Sequence, residues 1–240
     1  MIQDDPFRAY DEAFEAWRAK QPGSKFSEFS LRRIINGLRK GRVHDTLGSN
    51  LSGEESWAES GRSMFETILA MHPLPANARV CDYGCGSLRV TSHFIRRQDR
   101  LCVFALDAVT DFMKIGKELL GEHVLQEKLP RFGVISARLE NAAAFRPDLV
   151  YATSVARHVH PEEKPDFIDA MRRIAGKPGS VAIFDAYVAD KETRFARSGW
   201  AWPLNFYLDA MAPLKLIGSK ELGSGVTGWD VHRTLLAFQR

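Results

Sequence analysis

Asp82-Tyr83-Gly84-Cys85-Gly86-Ser87-Leu88 combines an acid with two glycines spaced two apart, directly after the apolar run Ala78-Arg79-Val80-Cys81. Glycines at that spacing let a backbone turn tightly and lie against a ligand where a Cβ would collide. An acid at the carboxyl end of a strand stands where open α/β sheets bind their ligands. Together these residues point to a nucleoside-like cofactor held at a strand-to-helix turn. A dinucleotide fold would ask for Gly-x-Gly-x-x-Gly, with the third glycine packing helix on strand. That position is Arg89, so the spacing is wrong for a nicotinamide-dependent oxidoreductase.

Further groups able to do chemistry close later apolar runs. Leu101-Cys102-Val103-Phe104-Ala105-Leu106 ends in Asp107, a carboxylate able to accept two charge-assisted hydrogen bonds from a ribose diol. His158 and His160 follow the run Pro147–Val155 and titrate near neutrality, which makes them the leading general bases. For His158 the plainer reading, capping or packing at a helix start, is favoured, and His160 is expected at the surface. Asp185 and Tyr187 follow the run Gly179–Phe184, where they either bind an acceptor hydroxyl or simply end the strand. The three cysteines, Cys81, Cys85 and Cys102, lack further Cys or His at zinc-finger spacing. They read as reduced, buried thiols, and no metal site is expected.

Asp-x-Gly-x-Gly followed by an acid-terminated second run resembles the class I S-adenosylmethionine-dependent methyltransferases, small-molecule branch. Leu88 stands where the last glycine of that motif is expected. The resemblance covers roughly residues 60 to 240 as an ordered series of matches, including Pro147-Asp148-Leu149-Val150 at the fourth strand, then His158 and Pro161. It implies a Rossmann-like, doubly wound α/β fold of seven strands, mostly parallel with an antiparallel C-terminal strand, carrying an N-terminal helical cap. It places the cofactor, S-adenosyl-L-methionine, against Asp82, Gly84, Cys85, Gly86, Asp107, Ala108, Thr153 and Ser154, with Asp107 as the ribose-binding acid. After the third strand, where the family often has an acid near the adenine, this chain has Arg138 and Leu139, which the resemblance counts among the cofactor-binding residues with the contact either made by their backbone or absent. Arg62 either reaches the cofactor's carboxylate or forms a surface salt bridge. The catalytic candidates are His158, His160 and Asp185.

The elements that must position these groups follow from periodicity. Phe7, Tyr10, Phe14 and Trp17 recur at helical steps before Pro22-Gly23, and Leu31, Ile34, Ile35 and Leu38 mark the buried side of a second helix. Ser52 and Glu55 have the spacing of a capping box that opens a third. Residues 1–60 are expected to form the cap and 61–240 the cofactor domain. From Ala78 to Tyr187 strands and helices alternate, the mark of a parallel sheet covered on both faces. Thr110-Asp111 opens a helix ending near Gly121, and Pro161-Glu162-Glu163 opens another that buries Phe167, Ile168, Met171 and Ile174. The aromatic-rich stretch 191–213 reads as a helix burying Leu204, Tyr207, Leu208 and Met211, with Trp200, Trp202 and Phe206 free to wall an acceptor pocket. Residues 215–219 and 229–238 read as the final two strands.

At 240 residues, 45% hydrophobic and 26% charged, the composition is that of an ordinary globular protein with room for one full α/β core. No apolar run is long enough to span a bilayer, and the first six residues lack the pattern of a secretory signal, so a cytoplasmic location is expected. A net charge of +3 is too small to imply a polyanionic partner. The basic cluster Arg32, Arg33, Arg39, Lys40 and Arg42 reads as a solvated helix face. Against nucleic-acid amino methylation, Thr153-Ser154-Val155-Ala156 stands where Asn/Asp-Pro-Pro-Tyr/Phe would be needed. The reading is methyl transfer to a small-molecule acceptor, with no membrane or nucleic acid as partner; a homodimer is compatible with it. The alternatives are a non-catalytic cofactor-binding subunit, and methylation of RNA or protein.

Overall fold

Residues 7–41, 54–226 and 228–240 are described by the computed structural model of the chain. The runs Val80–Tyr83, Val103–Asp107, Leu149–Ala152 and Val181–Val188 become strands because their side chains are covered on both faces, as a central parallel sheet requires, whereas the outer strands of the sheet are partly exposed. The strands are β1 (Val80–Tyr83), β2 (Val103–Asp107), β3 (Arg131–Val134), β4 (Leu149–Ala152), β5 (Val181–Val188), β8 (Lys215–Val226) and β9 (Trp229–Gln239). They form a seven-stranded sheet in the order β3-β2-β1-β4-β5-β9-β8. The first five strands run parallel, and β9 pairs antiparallel with both β5 and β8. The expected sheet, with its reversed last strand inserted beside the fifth, is what forms. The order reverses between β1 and β4, which opens a crevice at their carboxyl ends.

Helices α3 (Glu54–Met71) and α4 (Thr91–Arg97) cover one face of the sheet. There Trp57, Ile68, Phe94 and Ile95 pack with Tyr151, Ile183 and Leu235. Helices α5 (Thr110–Leu120) and α6 (Glu122–Lys128) extend that layer; α6 was not anticipated. The other face carries α7 (Ile135–Ala144) and α8 (Lys164–Ile174), and α8 buries Phe167, Ile168, Met171 and Ile174 as expected. Cys81 and Cys85 are buried free thiols, whereas Cys102 is only partly covered.

The stretch 191–213 departs from expectation. It forms a hairpin, β6 (Thr193–Ala196) and β7 (Gly199–Ala201), and only then the short helix α9 (Leu204–Ala210). Tyr207 and Met211 are buried, but Leu204 is exposed. Tyr187 stacks on Phe195 at 4.7 Å, which fixes the hairpin to the end of β5.

The hairpin supports α1 (Arg8–Lys20) and α2 (Phe26–Arg39). Phe14, Phe26, Phe29 and Trp200 form one buried aromatic cluster, with Tyr10 and Trp17 on its edge. The periodic stripe of α1 is therefore its packing face. In α2 the buried residues are Phe26 and Phe29, while Leu31, Ile34, Ile35 and Leu38 are only half-buried, because α2 docks through its first turn. Around the cluster, Ser27 donates its backbone N–H to Glu163 at 2.9 Å and Lys25 pairs with Asp166 at 2.6 Å. Arg194 pairs with Asp11 at 2.6 Å and Arg18 with Glu162 at 3.4 Å. The Ser52 end of the expected capping box lies outside the described residues, as does Arg42 of the basic cluster. No described helix is long and apolar enough to cross a membrane.

Candidate functional site

The turn after β1 is tied to the end of β2. Gly84 has φ +84°, and a Cβ there would stand 2.3 Å from Val155 Cγ2, so only glycine lets the turn approach the segment after β4. The N–H groups of Gly84 and Cys85 donate to the Leu106 carbonyl at 2.8 and 2.9 Å. Gly86 N–H donates to Asp107 Oδ2 at 2.6 Å, and Val109 N–H to Oδ1 at 2.7 Å. Burial pushes the Asp107 carboxyl up from its usual range, while the N–H groups of Val109, Gly86 and Ala108 pull it back. Asp107 is 8% exposed, and a carboxylate has about four lone-pair sites, so it keeps acceptor capacity toward the crevice. Ala108 next to it is exposed.

Leu88 adopts φ +64°, the left-handed conformation its glycine-expecting position calls for, at a cost of about 1–2 kcal/mol. Its side chain is fully buried among Trp57, Phe94 and Met113. Gly116 of α5 makes this possible, because a Cβ there would lie 2.4 Å from the Ser87 carbonyl oxygen and 2.7 Å from Leu88 Cγ. That carbonyl also accepts a 2.7 Å bond from Trp57 Nε1. The departure from the motif is thus absorbed beneath the turn, and the crevice side is left to the backbone.

Asp82 faces the α3–α4 layer. Its Oδ2 accepts from Thr91 Oγ1 at 2.6 Å, while Oδ1 and the neighbouring Tyr151 hydroxyl are buried without a partner at hydrogen-bonding geometry. Burial pushes its pKa up to about 7, against the opposing pull of Thr91 and the nearby Tyr151 hydroxyl. Asp82 therefore supports the turn from below. At β3 the strand passes directly into α7 at Ile135. Arg138 is exposed in that helix, its Nη1 3.5 Å from Asn141 Oδ1, and Leu139 packs partly on the core. Arg62 is exposed and bound to Glu59 at 2.8 Å, the surface salt bridge named above.

Thr153 is half-buried after β4, and Ser154 is exposed with φ +59°. Asp185, 1% exposed, holds that strained turn by accepting the Ser154 N–H, and it forms an ion pair with Arg233 at 2.6 Å. Its oxygens are thereby engaged. His158 is exposed, with Nδ1 3.0 Å from the Ser198 carbonyl oxygen on the hairpin. His160 overturns the expectation of exposure. It stacks on Phe26 at 4.7 Å, meets Trp200 edge-on at 5.3 Å, and its Nδ1 accepts the Glu162 N–H at 3.3 Å. Burial lowers its pKa, partly offset by Glu162 and Glu163.

Four cations near this edge were not singled out as site residues: Arg89, Arg157, Lys164 and Arg233. Arg89 entered only as a break in a glycine pattern, and no local signal marks the others. Lys164 is 1% exposed, donates to the Ala156 carbonyl at 2.6 Å, and lies 5.6 Å from the Trp202 ring centre. Burial drops its pKa to about 7. Asp107, Gly86 and Ser154 thus gather at one edge, while Arg62 and Arg138 lie on the outer surface.

The chain has the fold of the class I S-adenosylmethionine-dependent methyltransferases. It superposes on magnesium protoporphyrin IX methyltransferase from Synechocystis PCC 6803 with bound S-adenosylmethionine at a TM-score of 0.62, covering 92% of this chain and 100% of that one at 14% identity. The 1,6-didemethyltoxoflavin-N1-methyltransferase of Burkholderia thailandensis, with bound 1,6-didemethyltoxoflavin and S-adenosylhomocysteine, gives 0.57 at 14% identity over 91% of this chain and 92% of that one. The [4+2]-cyclase SpnF gives 0.62 at 13% identity over 89% and 94%. No protein-family profile and no curated protein matches the chain.

Proposed function

We propose that the chain binds S-adenosyl-L-methionine and transfers its methyl group to a small-molecule acceptor by direct in-line displacement. The observation that carries this reading is the turn Gly84–Gly86, drawn onto Asp107 at the crevice between β1 and β4. Its residues fit such a cofactor: the turn presents backbone, Leu88 is folded away beneath it, and Asp107 retains acceptor capacity for the ribose hydroxyls. Bound there, the cofactor supplies an electrophilic methyl group on a sulfonium.

The protein's task is then mainly to hold the reactants close and aligned, which can remove roughly 7–11 kcal/mol of barrier. Asp185 is committed to Arg233 and Ser154, so it shapes the acceptor side and is not free as a base. His160 is held in the aromatic cluster, and of the two candidate histidines His158, set on Ser198, is the one still open to solvent. This arrangement suits an acceptor whose nucleophile is already deprotonated or neutral. Helices α1 and α2, with the β6–β7 hairpin, form the cap over the acceptor, in a location taken to be cytoplasmic. Calorimetric titration with S-adenosylmethionine, S-adenosylhomocysteine and NAD tests the ligand class, and labelled cofactor incubated with fractionated cell extract tests transfer. Tight NAD binding, or none of the adenosyl ligands bound, would sink the reading.

A second reading is cofactor binding without transfer. It is favoured by the direct passage of β3 into α7, which leaves no acid-bearing loop beside the adenine position, and by the fact that the shared fold also serves a [4+2]-cyclase. Binding with no methylated fraction would select it.

A further inference from the structure

We infer that the acceptor carries a carboxylate or phosphate group gripped by Arg89 and Arg157 at the carboxyl edge of the sheet, an assignment that rests on the methyl-transfer reading above. Asp185 and Tyr187 alternate on one face of β5, and Arg233, directly opposite Tyr187 in β9, shares that face. Arg89 leads into α4, which packs on the same face through Phe94 and Ile95 beside Ile183 and Leu235. Arg89 and Arg233 therefore stand on one side of the sheet, and Arg157, in the segment after β4, reaches the Tyr187 hydroxyl on that same side.

Their commitments differ. Arg233 is spent on Asp185, with Nε at 2.7 Å, and on Ser154 Oγ at 3.3 Å. Arg157 donates Nη1 to the Tyr187 hydroxyl at 3.2 Å and lies over the Tyr187 and Phe195 rings at 4.9 and 5.3 Å. Its Nε is buried without a partner. The half-buried guanidinium of Arg89 has no hydrogen bond or ion pair among the described residues. Burial, and then the charge of Arg233, both disfavour its protonated form.

Arg233 thus already holds the Asp185 carboxylate, and neither the Arg89 guanidinium nor Arg157 Nε has an anionic partner among the described residues. A partly desolvated charge without a counterion is costly, and an entering anion removes the cost. The planar donor fork of arginine matches carboxylate and phosphate oxygens in pairs. A neutral acceptor would leave both Arg89 and Arg157 Nε unsatisfied. The amino-acid carboxylate of the cofactor is another source of the same chemistry, and the test must separate the two.

The wild-type protein is first titrated with S-adenosylhomocysteine; no binding would reject the methyl-transfer reading, and this assignment with it. Protein saturated with S-adenosylhomocysteine is then titrated with benzoate, phenyl phosphate and neutral benzamide. Benzoate or phenyl phosphate is expected to bind about tenfold or more tighter than benzamide. Arg89→Met and Arg157→Met should each remove about tenfold of that affinity while leaving S-adenosylhomocysteine binding unchanged. Equal or absent binding of the anions and benzamide to the wild type overturns the assignment without recourse to any variant. It is also overturned if Arg89→Met weakens S-adenosylhomocysteine but spares 5′-methylthioadenosine, which lacks the amino-acid carboxylate, because the arginine would then serve the cofactor.

Discussion

The backbone N–H of Gly86 donates to Asp107 Oδ2 at 2.6 Å, so the acid proposed to bind the sugar also fastens the turn proposed to meet the rest of the cofactor. One carboxylate links the ends of β1 and β2. Replacing Asp107 with alanine should weaken S-adenosylhomocysteine binding by about 1.5–3 kcal/mol, as loss of hydrogen bonds to a charged acceptor does. The melting temperature should fall too, since the N–H groups of Gly86 and Val109 lose their acceptor. Calorimetry and thermal unfolding check both; unchanged affinity would strip Asp107 of its role.

Gly116→Ala tests how Leu88 is accommodated. An ordinary Gly→Ala change in a helix gains up to about 1 kcal/mol. Here the new Cβ would meet the Ser87 carbonyl at 2.4 Å, and backbone cannot swing aside as a side-chain tip can. The expected result is a net loss of about 1–3 kcal/mol, typical of overpacking, together with weaker cofactor binding as the turn shifts. A stabilised variant would show that the turn is loosely held.

Asp82 makes stability depend on pH. Its folded pKa, about 7, lies above that of an unfolded carboxyl near 4, so the folded state binds the extra proton between these values. That contribution is present in full below about pH 4 and is lost as pH rises through about 7. Asp82→Asn keeps an oxygen for Thr91 and never ionises. The variant should therefore gain in melting temperature relative to wild type at pH 8 more than at pH 5; an equal difference at both would refute the buried, costly carboxylate.

His160 works in the opposite direction. Burial lowers its pKa, so the unfolded state takes up the proton more readily and the contribution of His160 disappears as pH falls from neutrality through the ordinary histidine range. Glu162 and Glu163 temper the effect, and Arg194 and Arg18 reinforce it. Amide protection in α2, taken relative to the intrinsic exchange rate at each pH, should fall between pH 7 and pH 5.5, and His160→Phe should flatten the trend. Protection independent of pH would contradict the arrangement.

Arg233→Met leaves Asp185 buried and uncompensated, at an expected cost of about 3 kcal/mol by denaturant titration. Adding Asp185→Asn should restore part of it. Additive losses in the double variant would mean the two side chains are not coupled.

How far the sequence could be read depends on how local each cause is. The centre of the sheet was legible because β1, β2, β4 and β5 are short, mostly apolar runs that carry or meet a polar residue near their carboxyl ends, such as Asp82 or Asp107, a pattern written within a few positions. The hairpin at Thr193–Ala201 was not, because its two short strands carry aromatics that also fit a helical stripe. What buries His160 is Phe26 and Trp200, brought in from distant parts of the chain, so no neighbouring residue announces it. Asp185 likewise looked free because its partner, Arg233, arrives only when β9 turns back beside β5. Turn chemistry is local; electrostatic commitment is tertiary.

The charge pairs that fasten α1 and α2 to the body, Lys25 with Asp166 and Arg18 with Glu162, face water, whereas the rings they encircle do not. Exposed pairs weaken as dissolved ions shorten the reach of charge to about 8 Å at physiological strength, while apolar contact is far less affected. Raised ionic strength should therefore loosen the grip of α1 and α2 on the body at its rim first, while the ring cluster beneath them keeps most of its hold.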